Sequence, residues 1–137
     1  MMINNTPILK IYKKRNASSE LTSQMLYGEK FEVIKKYKKW LKIKTSYDGY
    51  EGFINNKKYL PNKVNTHKIV KLKSNVYSKK NKKFKIINIK LPFNSRLKVL
   101  SKNKNFLEFS QNKWVDKKDV KEINHKEKKF NKIFKIF

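Results

Sequence analysis

The sequence predicts an all-β protein, built as two small barrels in tandem and followed by a short C-terminal amphipathic helix. Apolar residues alternate with lysines from Leu41 to Lys44, which is the period of a half-buried strand. A pattern of strands and turns in the first half recurs in the second half, at an offset of 66 residues from Trp40 to Phe106. Residues 124–137 change to the apolar spacing of a helix.

The stretch of residues 27–54 is the centre of the first barrel. β-branched and aromatic residues dominate it, and Asp48-Gly49 is a strong hairpin signal. The apolar positions that begin at Val33 also fit a helix, but this composition argues against one. We therefore predict a three-strand meander with two short turns.

The segments around this meander complete the first barrel. Residues 7–12 predict a first strand. The segment begins with a proline, which is tolerated at the first position of a strand. Residues 13–23 are polar and predict a long surface loop, and residues 24–27 return to the barrel. Residues 55–60 predict a single turn, and the boundary between the domains is expected between residues 61 and 67.

The second half repeats the order strand, turn, strand, turn, strand. Aromatic residues match aromatic residues and branched aliphatic residues match branched aliphatic ones, which predicts a duplicated domain. The matching segments are 26–34 with 92–100, 40–43 with 106–109, and 53–54 with 114–115.

The second copy is expected to have its own first strand and its own long loop. We predict the strand at residues 68–72 and the loop around residues 75–83. The predicted domains are then residues 1–62, residues 67–123 and a tail of residues 124–137.

The tail is predicted to be a basic amphipathic helix. Its apolar stripe has the i, i+3, i+4, i+7 spacing, with lysines around it. An apolar face without a visible cover generally has a partner, so the stripe is a candidate partner-binding surface. A frayed end that packs on the second domain is the alternative. The stripe consists of Phe130, Ile133, Phe134 and Phe137.

The composition excludes several kinds of chemistry. The chain has no cysteine, which excludes a cysteine nucleophile and a thiolate metal site. His67 and His125 are too few for a metal site built from histidines, and both are expected to be solvated. Its three glycines form no phosphate-binding loop. We therefore predict no enzyme activity, no metal site and no cofactor.

The formal net charge is +26, which favours attraction to an anionic partner. The charge comes from 34 lysines and only two arginines, Arg15 and Arg96. Base readout favours arginine, and lysine, asparagine and isoleucine all have A- and T-rich codons. The charge is thus weak support for a sequence-specific nucleic-acid site. Nonspecific binding of RNA or DNA through lysines and exposed aromatic rings stays open, as does membrane-surface binding through the tail.

The N-terminal residues do not form a secretory signal, and no segment is apolar for long enough to span a membrane. A cytoplasmic protein is expected.

Short motifs are found in both halves of the sequence. Those in the first half are Ser19-Glu20-Leu21, Ser23-Gln24, Tyr27-Gly28-Glu29, Trp40-Leu41 and residues 48–54; those in the second are residues 91–97 and Trp114-Val115. They resemble the bacterial SH3-like domains of NlpC-type cell-wall endopeptidases, which cut γ-D-glutamyl–diamino acid bonds in murein peptides. Phe53 stands where the family usually has tryptophan, and Asn94 stands at a glycine position of the second SH3-like domain.

The resemblance implies two SH3-like barrels without the cysteine peptidase domain that follows them in the family. It further implies that the first SH3-like domain helps to bind the free amino end of a murein peptide. The matching acidic residue and tyrosine are Glu20 and Tyr50, and a carboxylate facing an ammonium group makes a strong hydrogen bond. The expected function is murein-peptide binding or positioning for a peptidase domain on another chain, unless the chain is a truncated remnant.

Overall fold

The computed structural model describes residues 1–123, and the regular secondary structure of this part of the chain consists of β-strands apart from one short 3-10 helix. The all-β prediction is confirmed. The predicted tail helix, with Phe130, Ile133, Phe134 and Phe137, lies outside the described residues. Within those residues, no helix has the length and apolar character needed to cross a membrane.

The first half of the chain forms one antiparallel sheet of seven strands, in the order β3-β2-β6-β5-β4-β1-β7. The predicted meander is β4, β5 and β6, with Val33 opposite Ile43 and Ile43 opposite Gly52. The strands are β1 (Met2–Ile3), β2 (Ile8–Tyr12), β3 (Leu21–Leu26), β4 (Lys30–Lys36), β5 (Trp40–Thr45), β6 (Glu51–Asn55) and β7 (Leu60–Pro61).

The second half forms two further antiparallel sheets, in the orders β10-β9-β14-β13-β12 and β11-β8-β15. A short 3-10 helix, Lys117–Asp119, precedes the last strand. The strands are β8 (His67–Ile69), β9 (Lys73–Lys80), β10 (Lys83–Pro92), β11 (Arg96–Leu97), β12 (Ser101–Lys102), β13 (Phe106–Ser110), β14 (Lys113–Asp116) and β15 (Val120–Glu122). These strand positions do not test the proposed domain boundary, which stays a prediction.

The prediction of a long loop around residues 75–83 is wrong. These residues belong to the hairpin of β9 and β10, whose turn places Asn81 at φ 50° and Lys82 at φ 65°. Positive φ at both central residues is characteristic of the type I′ turn, whose twist matches that of the two strands. The polar composition was misleading, because only one face of β9 is buried, at Ser74 and Val76.

Three smaller differences concern segment limits and burial. The loop after β2 ends earlier than predicted, because β3 already begins at Leu21. The short strand β1 was not predicted. His67 is 8% exposed and therefore buried, because its position in β8 pairs it with both β11 and β15. Its proximity to the breaker Pro61 had suggested a solvated linker position instead.

Residues 1–123 contain two apolar cores, and Tyr27 of the first half is buried in the second of them. The first core contains residues of the first half alone: Leu9, Ile11, Met25, Phe31, Leu41, Ile43, Ile54 and Tyr59. The second core contains Ile69, Val76, Leu91, Leu97, Leu107, Phe109 and Val115, together with Tyr27 from the first half. The aromatic ring that follows β3 is therefore buried in the neighbouring unit.

The backbone beside Tyr27 also contacts the second half directly. The amide of Arg96 donates to the Tyr27 carbonyl at 2.8 Å, and the Asn65 side chain donates to the Gly28 carbonyl at 3.1 Å. Gly28 has φ +85°, and a β-carbon there would overlap the carbonyl oxygen of Arg96. Only glycine fits this junction.

The turn that carries Tyr27 recurs in the second half. Gly28 donates to the Asn4 carbonyl, and Asn94, at φ 73°, donates to the Ile69 carbonyl, both at 2.9 Å. Asparagine tolerates this left-handed conformation better than most residues do. The exposed ring of Phe93 occupies the position that corresponds to Tyr27.

Candidate binding groove

A groove of about 620 Å³ in the first half has aromatic and basic walls. We call it the basic aromatic groove. The loop after β2 forms one wall, the turn between β4 and β5 forms the other, and β6 contributes one ring. Its lining residues are Lys13, Lys14, Arg15, Asn16, Tyr37, Lys38, Lys39, Trp40 and Phe53.

The loop wall is ordered by its own polar residues. The side chain of Asn16 accepts hydrogen bonds from the Ser18 amide and hydroxyl, at 2.9 and 2.8 Å. The Ser19 hydroxyl donates to the Asn16 carbonyl at 2.7 Å, and the Lys13 amide donates to the Glu20 carbonyl at 2.8 Å. These local bonds are typical of Asn and Ser in turns, and they hold the side chains of residues 13–16 at the groove.

The opposite wall is held by Asn56, which follows β6. Its backbone amide donates to the Lys39 carbonyl at 3.0 Å, and its side-chain Nδ2 donates to the Tyr37 carbonyl at 3.2 Å. The Tyr37 amide donates to the Trp40 carbonyl at 2.8 Å and closes the turn. The turn between β4 and β5 is therefore fixed to the end of the meander.

Three aromatic rings line the groove. Tyr12, which does not line it, packs edge-on against one of them, Trp40, with centroids 5.7 Å apart. Tyr37 and Phe53 lie 6.1 Å apart in a tilted arrangement. All four rings are half-buried, so each is supported on one side and keeps an accessible surface. Such rings can stack against a planar ligand group.

The cations of the groove surround these rings. The Arg15 guanidinium lies 4.0 Å from the centre of the Tyr37 ring, a cation–π contact, and the Lys35 ammonium lies 5.3 Å from the same ring. Five of the lining residues carry positive charge and none carries negative charge. The arrangement suits an anionic ligand with planar groups, such as carboxylates joined by peptide bonds.

Two similar sequence segments build these walls. They are Tyr12-Lys13-Lys14-Arg15 at the end of β2 and Tyr37-Lys38-Lys39-Trp40 at the start of β5. A lysine-rich turn usually forms a solvated face, so neither segment indicates a groove when it is taken alone. Their common pattern was the signal that could have identified the groove.

Neither of the two residues implied by the resemblance lines this groove. Glu20 is exposed just before β3, in an adjoining groove, and its carboxylate is 3.9 Å from the Lys13 ammonium. Tyr50 is 44% exposed at the end of the turn between β5 and β6, where its amide donates to the Thr45 hydroxyl at 2.9 Å. The structure records no contact between them in residues 1–123. Their binding role stays a prediction.

No group of metal-ligating side chains was found within residues 1–123. The few ionisable groups with shifted pKa values lie mostly away from the groove. Burial raises the pKa of Tyr59, whose hydroxyl donates to the Asn55 carbonyl at 2.7 Å. Burial lowers the pKa of His67 and raises that of Glu29.

The antiparallel meander, the long loop after β2 and the groove between loop and turn define the class of an SH3-like module. Residues 11–58 match the family model of the bacterial dipeptidyl-peptidase SH3 domain. This segment of the first half is therefore similar to a bacterial SH3 domain of this family, in agreement with the resemblance in the sequence. The match contains every residue that lines the groove. This family of SH3 domains is accessory to catalysis and non-catalytic.

A solved structure extends the likeness of the fold to both halves. The crystal structure of an NlpC/P60 family protein from Bacillus cereus ATCC 10987 matches 90% of this chain with a TM-score of 0.71 and 16% sequence identity. The matched region covers 56% of that protein, so the chain spans little more than half of its length. No curated protein gave a significant match in sequence.

Proposed function

We propose that this chain is a non-catalytic module that binds murein peptides in the basic aromatic groove and positions them for a peptidase domain on another chain. The observation that carries the proposal is the groove itself, where five cations surround the rings of Tyr37, Trp40 and Phe53. Murein peptides carry carboxylates on their glutamyl and diamino acid residues, and the rings can support the intervening peptide planes.

The position of Glu20 gives this proposal a direction along the peptide. Glu20 lies beside Lys13, which lines both the basic aromatic groove and the adjoining groove. The free amino end would lie near Glu20, and the carboxylates would lie between the lysines and Arg15. We retain Tyr50 as a candidate ligand residue from the resemblance alone.

Isothermal titration calorimetry with the tripeptide L-Ala-γ-D-Glu-diaminopimelate tests the proposal. Arg15→Gln should weaken binding about tenfold, because it removes a charge-assisted contact. Lys121→Gln removes the same charge from an exposed position in β15 and should change the affinity less than about twofold. Equal effects of the two variants, or equal binding of the peptide with its carboxylates amidated, would reject a specific groove.

Nonspecific nucleic-acid binding is the second candidate, and the same groove favours it. Aromatic rings among lysines provide stacking and phosphate neutralisation, as in proteins that bind single strands. A steep fall in affinity for oligo(dT) between low and moderate salt would support this candidate. Murein-peptide binding that persists in the same salt range would favour the first.

We also propose that the apolar stripe in the tail binds the peptidase partner. Co-purification from the cell lysate tests this, with Phe134→Asp compared with Lys135→Asp. Loss of a cysteine peptidase in the Phe134 variant alone would support the apolar stripe. Equal retention by both variants would contradict it.

A further inference from the structure

A second cavity, of about 400 Å³, lies where the two halves meet. We call it the junction cleft. Glu29 and Lys30 line it from the first half, Asn94 and Arg96 line it from the second, and Asn65 lines it from the segment between β7 and β8. It shares no residue with the basic aromatic groove. Its volume suits a ligand of one or two amino-acid residues.

Arg96 gives the cleft an available guanidinium. Its backbone is fixed, because its amide bonds to the Tyr27 carbonyl and β11 pairs it with Lys68. Within residues 1–123, its side chain makes no ion pair or hydrogen bond that the structure records. A planar guanidinium without a partner at the wall of a cleft favours a carboxylate.

Glu29 does not satisfy this guanidinium. One oxygen of its carboxylate accepts a hydrogen bond from the Leu26 amide, which holds the side chain toward its own turn. Arg96 acts on it only through longer-range attraction, which partly offsets the effect of burial on the pKa of Glu29. With Lys30 also present, cations outnumber carboxylates among the lining residues.

Asn65 gives the cleft an acceptor that lacks a donor. Its Nδ2 donates to the Gly28 carbonyl at 3.1 Å, so the orientation of the amide is determined. Its Oδ1 is buried, and among the described residues no group donates a hydrogen bond to it. A buried acceptor without a partner is unfavourable, and a ligand N–H would relieve that loss.

We propose that the junction cleft binds the C-terminal end of a short peptide. The terminal carboxylate would pair with the Arg96 guanidinium, and the amide N–H next to it would donate to Asn65 Oδ1. This combination selects a peptide acid over a simple anion, because a simple anion offers no donor to Asn65. The proposal does not depend on the basic aromatic groove, since the two sites are built from different residues.

The test is NMR titration of the full chain with N-acetyl-Ala-Ala, followed through the Arg96 Nε–H, the Asn65 side-chain amide and the Gly28 amide. The proposal expects saturable shifts at these groups. Arg96→Gln should weaken binding about tenfold or more, as expected for loss of a bidentate charged contact. Lys98→Gln, two residues further along and outside the cleft, removes the same charge and should bind normally.

Chemical controls separate the proposal from its alternatives. N-acetyl-Ala-Ala-amide lacks the carboxylate, and it should bind at least about tenfold more weakly than the acid. Equal binding of acid and amide would overturn the proposal. So would equal shifts with inorganic phosphate, which would show a generic anion site. Absence of saturable shifts at Arg96 and Asn65 would likewise overturn the proposal, because the peptide would then not bind in the cleft.

Discussion

The ring of Tyr27 lies edge-on against Phe109, with centroids 5.5 Å apart. Tyr27 follows β3 of the first half, whereas Phe109 lies in β13 of the second. Because Tyr27 is only 5% exposed in this position, the second core is complete only when the first half provides its ring.

Tyr27→Ala should therefore destabilise the protein by about 3 to 5 kcal/mol, the usual loss for a large aromatic ring removed from a core. Phe93→Ala is the matched control, since Phe93 holds the corresponding position and is 55% exposed. It should change stability by less than about 1 kcal/mol. Urea unfolding measures both, and similar losses would contradict the role of Tyr27.

Gly28→Ala should destabilise the protein by more than Gly49→Ala does. Both glycines have positive φ, which costs an L-residue about 1–2 kcal/mol. At Gly49 the nearest atom to a β-carbon is 3.5 Å away, whereas at Gly28 the β-carbon would overlap the Arg96 carbonyl. Thermal unfolding measures the loss of stability in both variants. Gly49→Ala reports the backbone strain alone, and Gly28→Ala reports the strain together with the overlap. Equal losses would show that the junction relaxes freely.

Glu20→Gln should reduce binding of a murein peptide with a free amino end, by about threefold to tenfold. The N-acetylated peptide should bind to wild type and to Glu20→Gln with the same affinity, because it lacks the ammonium group. Glu51→Gln, an equally charged change at an exposed position of β6, is the control. Calorimetry measures the affinities, and a loss that is the same for both peptides would exclude an ammonium contact.

The stability of the protein should fall as the pH drops through the titration of His67. Burial holds the pKa of His67 below its ordinary value of 6.5, although Glu122 partly opposes this. The unfolded chain therefore takes up a proton at higher pH than the folded one, and the folded state loses stability from pH 6.5 downward. Above that range both states are neutral and the effect disappears.

Urea unfolding between pH 7.5 and pH 5 tests this linkage in wild type and His67→Gln. The variant should lose less stability than wild type over the same interval, whatever its stability at pH 7.5. Parallel curves would show that His67 does not contribute to the pH dependence.

The sequence predicted the meander because it depends on neighbours along the chain. Alternation at Leu41–Lys44 and the Asp48-Gly49 turn need only short-range contacts. The hairpin of β9 and β10 was missed because Asn81-Lys82 lacks glycine, although Asn81 has a positive φ and the turn is tight. Composition alone predicts a loop for such a polar hairpin.

The candidate sites were less predictable because they join distant segments. The basic aromatic groove brings residues 13–16 next to residues 37–40 through the pairing of β2 with β6 and of β6 with β5. The junction cleft needs Gly28 and Arg96 in contact, which no local pattern indicates. The family resemblance pointed to Glu20 and Tyr50, whereas neither residue lines the basic aromatic groove or the junction cleft.

The shared core at Tyr27 also determines where this protein can be divided. A cut between residues 61 and 67 follows the break in the sequence, yet it separates the second core from one of its own aromatic rings. A fragment that contains only the second half would have a cavity where the ring of Tyr27 packs. A fragment that contains only the first half would expose that ring to water. The two halves therefore differ at corresponding positions: Tyr27 is buried in the core of the other half, whereas Phe93 is exposed.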